Sequence, residues 1–407
     1  NSGCLWACRE GDRGESAGDC ALSHFAVRWL SNLEVIPLDA MIAVGARVRL
    51  HGLLAKPELN DKLGVCVGHK TDSDRVTVRV DDGTEFALKA ANLAVLQPSL
   101  ALSVGSVSMQ GKRPSQEDRH VKIPDFSKAA RALKMPIDHL DQPCAFLAIY
   151  DGHCGHACSE YAAKNFHMKL LKKLSSDTCR AAWTDDRIEG VLRATCEELD
   201  AEFLARFRTA TDGTTVVVCF IAGERCFVAW AGDSRCVLGE RRAEDEVAAV
   251  AISLDHRPSN EAEAQRVIAV GGEVVDMGDG AFRVARAGYE DRVRELIRAE
   301  QQGLGMIGKP PVAMAVSRSL GDRDFKSITG GPEVISPTPE VRSLRLRRSH
   351  TFLALMSDGV TDVMSNEELV SELATCVAST SSQGPDSPAQ AACSALVQEA
   401  LRRGSGD

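Results

Sequence analysis

Two stretches of this chain end alike. Phe146-Leu147-Ala148-Ile149-Tyr150 runs into Asp151-Gly152, and Phe352-Leu353-Ala354-Leu355-Met356 runs through Ser357 into Asp358-Gly359. Each reads as a buried strand that delivers a carboxylate at its end. The glycine that follows has no Cβ, so backbone can approach a ligand closely and its carbonyl is a further oxygen donor. Asp-Gly alone also marks ordinary turns, as at Asp82-Gly83 and Asp279-Gly280. The weight comes from numbers. Glu117 and Asp118 follow Arg113, Asp233 stands in Gly232-Asp233-Ser234-Arg235, Asp322 follows Gly321, and Asp407 closes Gly404-Ser405-Gly406-Asp407. Carboxylates converging with no Cys or His beside most of them suit a hard divalent cation, magnesium or manganese. Left uncompensated they would repel one another and rise in pKa, a penalty that a cation removes.

These groups need strands to aim them. Apolar segments at 145–150, 215–221, 226–231 and 351–356 read as strands, with helices between them. Ile188, Val191, Leu192, Leu199 and Phe203 place one apolar face on a helix over 187–208. Asn260 with Glu263 starts another, which Gly271-Gly272 ends, and a further helix covers 389–402. Residues 44–97 are different: short, partly alternating apolar runs, with Asp82-Gly83 as a hairpin turn between 76–80 and 85–88. They predict a small all-β barrel that either docks a peptide or is a passive appendage. Residues 1–40 carry no pattern that assigns a fold and read as a loose tail. No Walker-type phosphate loop and no dinucleotide fingerprint occurs.

Composition narrows the function further. Hydrophobic residues are 44% and charged residues 26%, which excludes a largely disordered chain. The net charge of -9 argues against a nucleic-acid binder, which needs a basic face. No apolar run approaches the roughly 18 residues of a membrane span, and no secretory signal is evident. The 14 cysteines are scattered, several inside apolar runs (Cys66, Cys219, Cys226, Cys236). That pattern predicts buried thiols in a reducing compartment, cytoplasmic or nuclear. Cys154, His156 and Cys158 lie close together, but no second pair with zinc spacing follows. The chain does not begin with Met and stops at Asp407, so it reads as a C-terminally truncated fragment.

Taken together, the motifs resemble the metal-dependent protein serine/threonine phosphatases, the PPM or type 2C family. The matching stretches, in the family's order, include Ser108-Met109-Gln110-Gly111-Lys112-Arg113 with Glu117-Asp118, Tyr150-Asp151-Gly152-His153, and Asp212-Gly213-Thr214-Thr215. Ala231-Gly232-Asp233-Ser234-Arg235, Asp255-His256-Arg257-Pro258, and Ala315-Val316-Ser317-Arg318-Ser319-Leu320-Gly321-Asp322 follow. Ser357-Asp358-Gly359 with Asp362, and Gly404-Ser405-Gly406-Asp407, complete the set. The resemblance covers residues 103–407. Residues 44–97 resemble Src-homology-type barrels more weakly.

The resemblance implies an α+β fold: a four-layer α-β-β-α sandwich of two antiparallel sheets, with a two-metal site in the cleft between them. It implies that Asp151 bridges two magnesium or manganese ions and that the Gly152 carbonyl ligates one. Asp358 and Asp407 would complete the other, Glu117 and Asp118 would hold metal-bound waters, and Asp233 would help hold a weaker third ion. Arg113 would bind the substrate phosphate and His153 would protonate the leaving group. The implied reaction is hydrolysis of phosphoserine and phosphothreonine esters in phosphorylated proteins by a metal-activated water. The physical chemistry agrees. Two divalent ions about 4 Å apart lower the pKa of a clamped water and stabilise an in-line displacement. An arginine fork matches phosphate oxygens, and a histidine suits protonation of an alkoxide near neutral pH.

The chain departs from the family pattern in three places: Cys154 where glycine is usual, Thr361 where tryptophan is common, and a longer segment over 276–311. Cys154 either crowds the turn that holds His153 or supplies an oxidant-sensitive thiol beside it. The 276–311 segment, with a charged helix over 292–301, predicts a flap that sets substrate preference. The rival reading is a catalytically inactive phosphatase fold that docks or regulates partners, which would show as lost ligands; Asp151, Asp358, Asp407, Arg113 and His153 are all present. A nuclease-like phosphoesterase would want a basic cleft.

Overall fold

The computed structural model describes residues 22–30, 42, 44, 46–70, 75–95, 101–176, 183–243, 246–278, 280–303, 310–327, 333–347, 349–379 and 387–406. Two five-stranded antiparallel sheets organise the larger part. The first runs, edge to edge, Glu340–Arg345, Arg225–Ala231, Val216–Ala222, Cys144–Tyr150, Arg119–Ile123. The second runs Glu246–Ala251, Arg235–Ala243, His350–Met356, Leu22–Leu30, Ala101–Met109.

The apolar runs are continuous because their strands are covered on both faces. Every residue of Cys144–Tyr150 and of Val216–Ala222 is buried. Successive side chains of a strand point to opposite faces. Phe146, Ala148, Tyr150, Val218 and Phe220 pack with residues of the helices Ala157–Leu174 and Asp185–Arg206. Leu147, Ile149, Val217 and Cys219 instead pack with Cys236, Leu238, Leu353 and Leu355 of the second sheet. On that sheet's other face, Phe352, Ala354 and Met356 meet Leu373 and Leu396 of the helices Asn366–Ser379 and Pro388–Arg402. Expected helix boundaries shift by one to three residues, the most at the start of Tyr289–Gln301. Asn260 does cap Glu261–Ala269, its side chain accepting from Ala262 N at 3.0 Å.

Residues 22–30 correct the reading of 1–40 as a patternless tail. Leu22–Leu30 is a strand inside the second sheet, paired on one side with His350–Met356 and on the other with Ala101–Met109. Its order comes from two non-local ladders, which the local sequence does not encode.

Arg47–Leu50, Leu63–His69, Arg75–Val80, Glu85–Lys89 and Leu93–Val95 form a separate five-stranded antiparallel sheet. Val48, Leu50, Cys66, Val76, Val78 and Leu93 give it its own core. Between the main sheets' elements, Gly272–Asp276, Phe282–Arg286 and Ala313–Met314 form a three-stranded sheet, and the helix Tyr289–Gln301 lies within that excursion. No helix among the described residues is long and apolar enough to cross a membrane.

Candidate metal centre and active site

Four carboxylates arrive from strand ends. Cys144–Tyr150 runs directly into Asp151, Arg225–Ala231 reaches Asp233 through Gly232, and His350–Met356 reaches Asp358 through Ser357. Asp118 immediately precedes Arg119–Ile123. Neighbouring backbone fixes the turns. The Asp151 carbonyl accepts from Thr215 N at 2.8 Å and from Thr214 Oγ1 at 3.0 Å. Gly232 has φ +114, and a Cβ there would stand 2.6 Å from Thr215 Cγ2, so the turn that aims Asp233 needs glycine.

All four are buried. Burial pushes the Asp151 carboxyl well above the usual carboxylate range, and the charges of Asp118 and Asp233 push it further. Asp358 is raised in the same way, by burial first and then by Asp151, Asp233 and Asp362. Burial also raises Asp233, although the Arg257 guanidinium pulls against it. Arg257 Nε donates to Asp233 Oδ2 at 3.1 Å and its Nη2 to Asp362 Oδ1 at 2.9 Å. Asp151, His153, Thr215 and Asp233 line one small cleft together with Met314, Ala315 and Val316.

Glu117 sits at the edge of this group and ties two loops together. Its Oε2 accepts from Gly155 N at 3.2 Å, and its carbonyl accepts from Ser159 Oγ. A Cβ on Gly152 would lie 2.5 Å from that same Glu117 carbonyl oxygen and 2.8 Å from Ser159 Oγ. Arg113 lies in the same connection, between Ala101–Met109 and Arg119–Ile123, with its carbonyl accepting from Gln110 Nε2 at 2.8 Å. It is not among the residues lining the cleft. Asp407 lies outside the described residues. Close to it in sequence, Ser405 is buried and its Oγ donates to the Gly359 carbonyl at 2.7 Å, so the chain reaches the Asp358 turn two residues before Asp407.

His153 is buried beside Asp322, its Nε2 3.0 Å from Oδ1 and 2.9 Å from Oδ2. Burial opposes the charged ring, but the Asp322 carboxylate outweighs it and holds the His153 pKa up at about 9. Asp322 was singled out in the sequence only as one of several strand-end carboxylates; the structure gives it to His153. Asp212 had no individual role in the sequence reading, and its Oδ2 accepts from Cys158 N at 2.7 Å in the first turn of Ala157–Leu174. Arg257, likewise unassigned, is the cation beside Asp233.

Nine described cysteines are free, Cys66, Cys219, Cys226 and Cys236 among them. Cys154 is not: it is disulfide-bonded, which corrects the expectation of a free thiol beside His153. Among the described residues, one trio of potential ligand atoms lies within 4.8 Å of one another: His256, Glu263 and Glu340. Glu263 there is already held by Ser317 Oγ at 2.6 Å, Arg318 Nε at 3.1 Å and Arg266 Nε at 3.2 Å. Two guanidiniums occupy the place a cation would take, so the open acid group around Asp151 is the better candidate.

Antiparallel sheets with helices packed on them thus gather buried strand-end carboxylates around one small cleft. A model of the protein phosphatase 2C family matches residues 102–407, and the chain belongs to that family. It is 31% identical over 275 residues to a probable protein phosphatase 2C of Caenorhabditis elegans, covering 66% of this chain and 61% of the relative. It is 29% identical over 329 residues to protein phosphatase 2C 56 of Arabidopsis thaliana, covering 74% of this chain. The chain thus spans 61% and 65% of the lengths of these two relatives. The crystal structure of a serine-threonine phosphatase 2C from Toxoplasma gondii has a similar fold, with TM-score 0.55 at 21% identity over 72% of this chain and 87% of that one.

Proposed function

We propose that this protein is a metal-dependent protein serine/threonine phosphatase acting on phosphorylated proteins. The observation that carries the reading is the set of buried carboxylates, Asp151, Asp233 and Asp358, whose pKa values are raised by burial and by one another. Such a set is costly unless a cation joins it. The donors are all oxygens: these carboxylates, Asp118, Glu117 and the Gly152 carbonyl. That chemistry fits magnesium or manganese and does not fit a soft metal. The close approach of the Gly152 backbone to Glu117 supports a site where backbone, and not a side chain, faces the ions.

In this reading Asp151, Gly152, Asp358 and Asp407 hold two ions, Glu117 and Asp118 orient their waters, and Asp233 serves a weaker third. When bound, the ions supply an acidified water and neutralise phosphate charge. Arg113 orients the phosphate, and His153 hands a proton to the departing serine or threonine oxygen. The packing clusters on both faces of both sheets support a four-layer α-β-β-α arrangement. The separate core at 46–95 supports a small barrel, which either docks a peptide or is a passive appendage. The nine free cysteines support a reducing intracellular compartment, against which the Cys154 disulfide stands.

The test is phosphate release from a phosphothreonine peptide, with and without manganese, beside Asp151→Asn. Manganese-dependent turnover that the substitution abolishes is expected. A folded protein that binds manganese and releases no phosphate would overturn the reading in favour of a docking protein. The retention of Asp151, Asp358, Arg113 and His153 argues against that rival.

A further inference from the structure

His153 and Asp322 are 169 residues apart in sequence, and a small sheet brings them together. Gly152–His153, Gly213–Thr214 and Leu320–Gly321 pair as three short antiparallel strands, with Gly213 between His153 and Gly321. The central glycine is needed. A Cβ on Gly213 would lie 2.3 Å from Asp322 Oδ2 and 2.5 Å from His153 Nε2, so any side chain there would force the pair apart.

Asp322 is held in an unusual way for a side-chain-bearing residue. Its φ is +48, in the left-handed region that non-glycine residues avoid. Strained backbone of this kind persists only where its surroundings over-determine it. They do here. Asp322 N donates to the Asp212 carbonyl at 3.2 Å, and Gly321 N donates to Asp200 Oδ1 at 2.7 Å. Lys326 Nζ, itself buried, donates to the Ser319 carbonyl at 3.0 Å and stands 3.4 Å from Asp200 Oδ1. Ser319 Oγ donates to Asp322 Oδ2. Both Asp322 oxygens also face His153 Nε2. The carboxylate is therefore engaged by the imidazole and the hydroxyl and is turned toward neither Asp151 nor Asp358 in any described contact.

We propose that Asp322 is a positioning residue for His153: its carboxylate grips Nε2–H and fixes the ring so that Nδ1 is the nitrogen that delivers the proton. The inference rests on the reading of His153 as the proton donor. In the step, the water oxygen forms the new bond to phosphorus and the bond from phosphorus to the serine or threonine oxygen breaks. The electron pair stays on that oxygen, which takes the Nδ1 proton and leaves as the alcohol. The neutral imidazole keeps Nε2–H on Asp322, and a proton released from the attacking water restores Nδ1–H. Asp322 touches no reacting atom. It acts by denying the ring its other orientations and the wrong tautomer, as a carboxylate behind a functional histidine does.

The test separates proton delivery from everything else. 4-Nitrophenyl phosphate loses a phenolate that departs without a proton, whereas a phosphothreonine peptide loses an alkoxide that needs one. The manganese-loaded protein is assayed on both, as wild type, His153→Gln, Asp322→Asn and the double variant. His153→Gln lowers kcat on the peptide by about 10²–10⁴-fold and on the nitrophenyl ester far less. Asp322→Asn lowers kcat on the peptide by about 10–100-fold with KM little changed, and also spares the ester. The double variant is no more selective than His153→Gln alone. Equal losses on both substrates in Asp322→Asn, beside a selective loss in His153→Gln, would overturn the role of Asp322 and leave the proton donor standing. Equal losses in His153→Gln would overturn the proton-donor reading beneath it. If Asp322→Asn does not fold, nitrogen NMR of the wild type decides: a protected, downfield Nε2–H supports the grip, and a freely exchanging Nε2–H overturns it.

Discussion

Two groups of buried acids in this protein were built on opposite principles. Glu263 is buried among cations: Arg318 and Arg266 donate to it, and Ser317 adds a hydroxyl. Burial alone would raise its pKa, but the Arg318 and Ser317 hydrogen bonds and the two positive charges bring it down to about 2. Asp151 and Asp358 are buried among other acids, and theirs are raised. The tight trio of Glu263, His256 and Glu340 looks more like a metal site by distance alone. Charge reverses that judgement. The trio is already neutralised from within the chain, whereas in the open group Arg257 offsets the Asp233 and Asp362 side and the pull of His153 on Asp151 does not outweigh burial and the neighbouring acids. Compactness of ligand atoms is therefore a poor guide here, and an uncompensated field is a better one.

The largest effect that sharpens this contrast is on turnover. Asp151→Asn should cut manganese-dependent phosphate release by about 10³-fold or more, since charge stabilisation by bound ions is worth several kcal/mol. Next come opposite signs in stability. Glu263→Gln leaves Arg266 partly buried without its acid and Arg318 with Glu340 alone, and should destabilise the fold by about 3–5 kcal/mol in urea unfolding. Asp151→Asn removes a repelled charge and should stabilise the metal-free protein by about 0.5–2 kcal/mol. If both substitutions destabilise alike, the contrast between the groups is broken. A third effect is linkage. Manganese at 100 times its Kd should add about 2.7 kcal/mol to the stability of wild type. Glu263→Gln should keep that increment and Asp151→Asn should lose most of it.

The parts that were legible in the sequence are those where one segment carries its own reason. The strands stand out because burial on both faces leaves apolar runs without a charge at 145–150, 216–221 and 352–356. Carboxylates at their ends stand out for the same reason, as the first charge after an apolar run. What could not be read depends on pairing. Leu22–Leu30 is a strand only because Ala101–Met109 and His350–Met356 flank it. Asp322 after Gly321 looks the same in sequence whether it serves a cation or a histidine, and only the juxtaposition with His153 separates the two. Arg257 next to His256 reads as part of a motif, and its partner Asp362 lies 105 residues on.

The smallest effect is in pH, and it tests the contrast without touching catalysis. The folded pKa of Glu263, about 2, is below its unfolded value of about 4.3. Its contribution is therefore present above pH of about 4.3 and lost as pH falls toward 2. Asp151 and Asp358 are raised, so in metal-free protein their contribution is present at low pH and lost as pH rises through their folded pKa values. The stability gap between wild type and Glu263→Gln should narrow on acidification. The gain from Asp151→Asn should widen as pH rises, because asparagine no longer has a proton to lose. Urea midpoints measured from pH 3 to pH 8 on metal-free protein would show two curves of opposite slope. Parallel curves would mean that the two acid groups feel the same field, and the assignment of the open group as the cation site would fall with them.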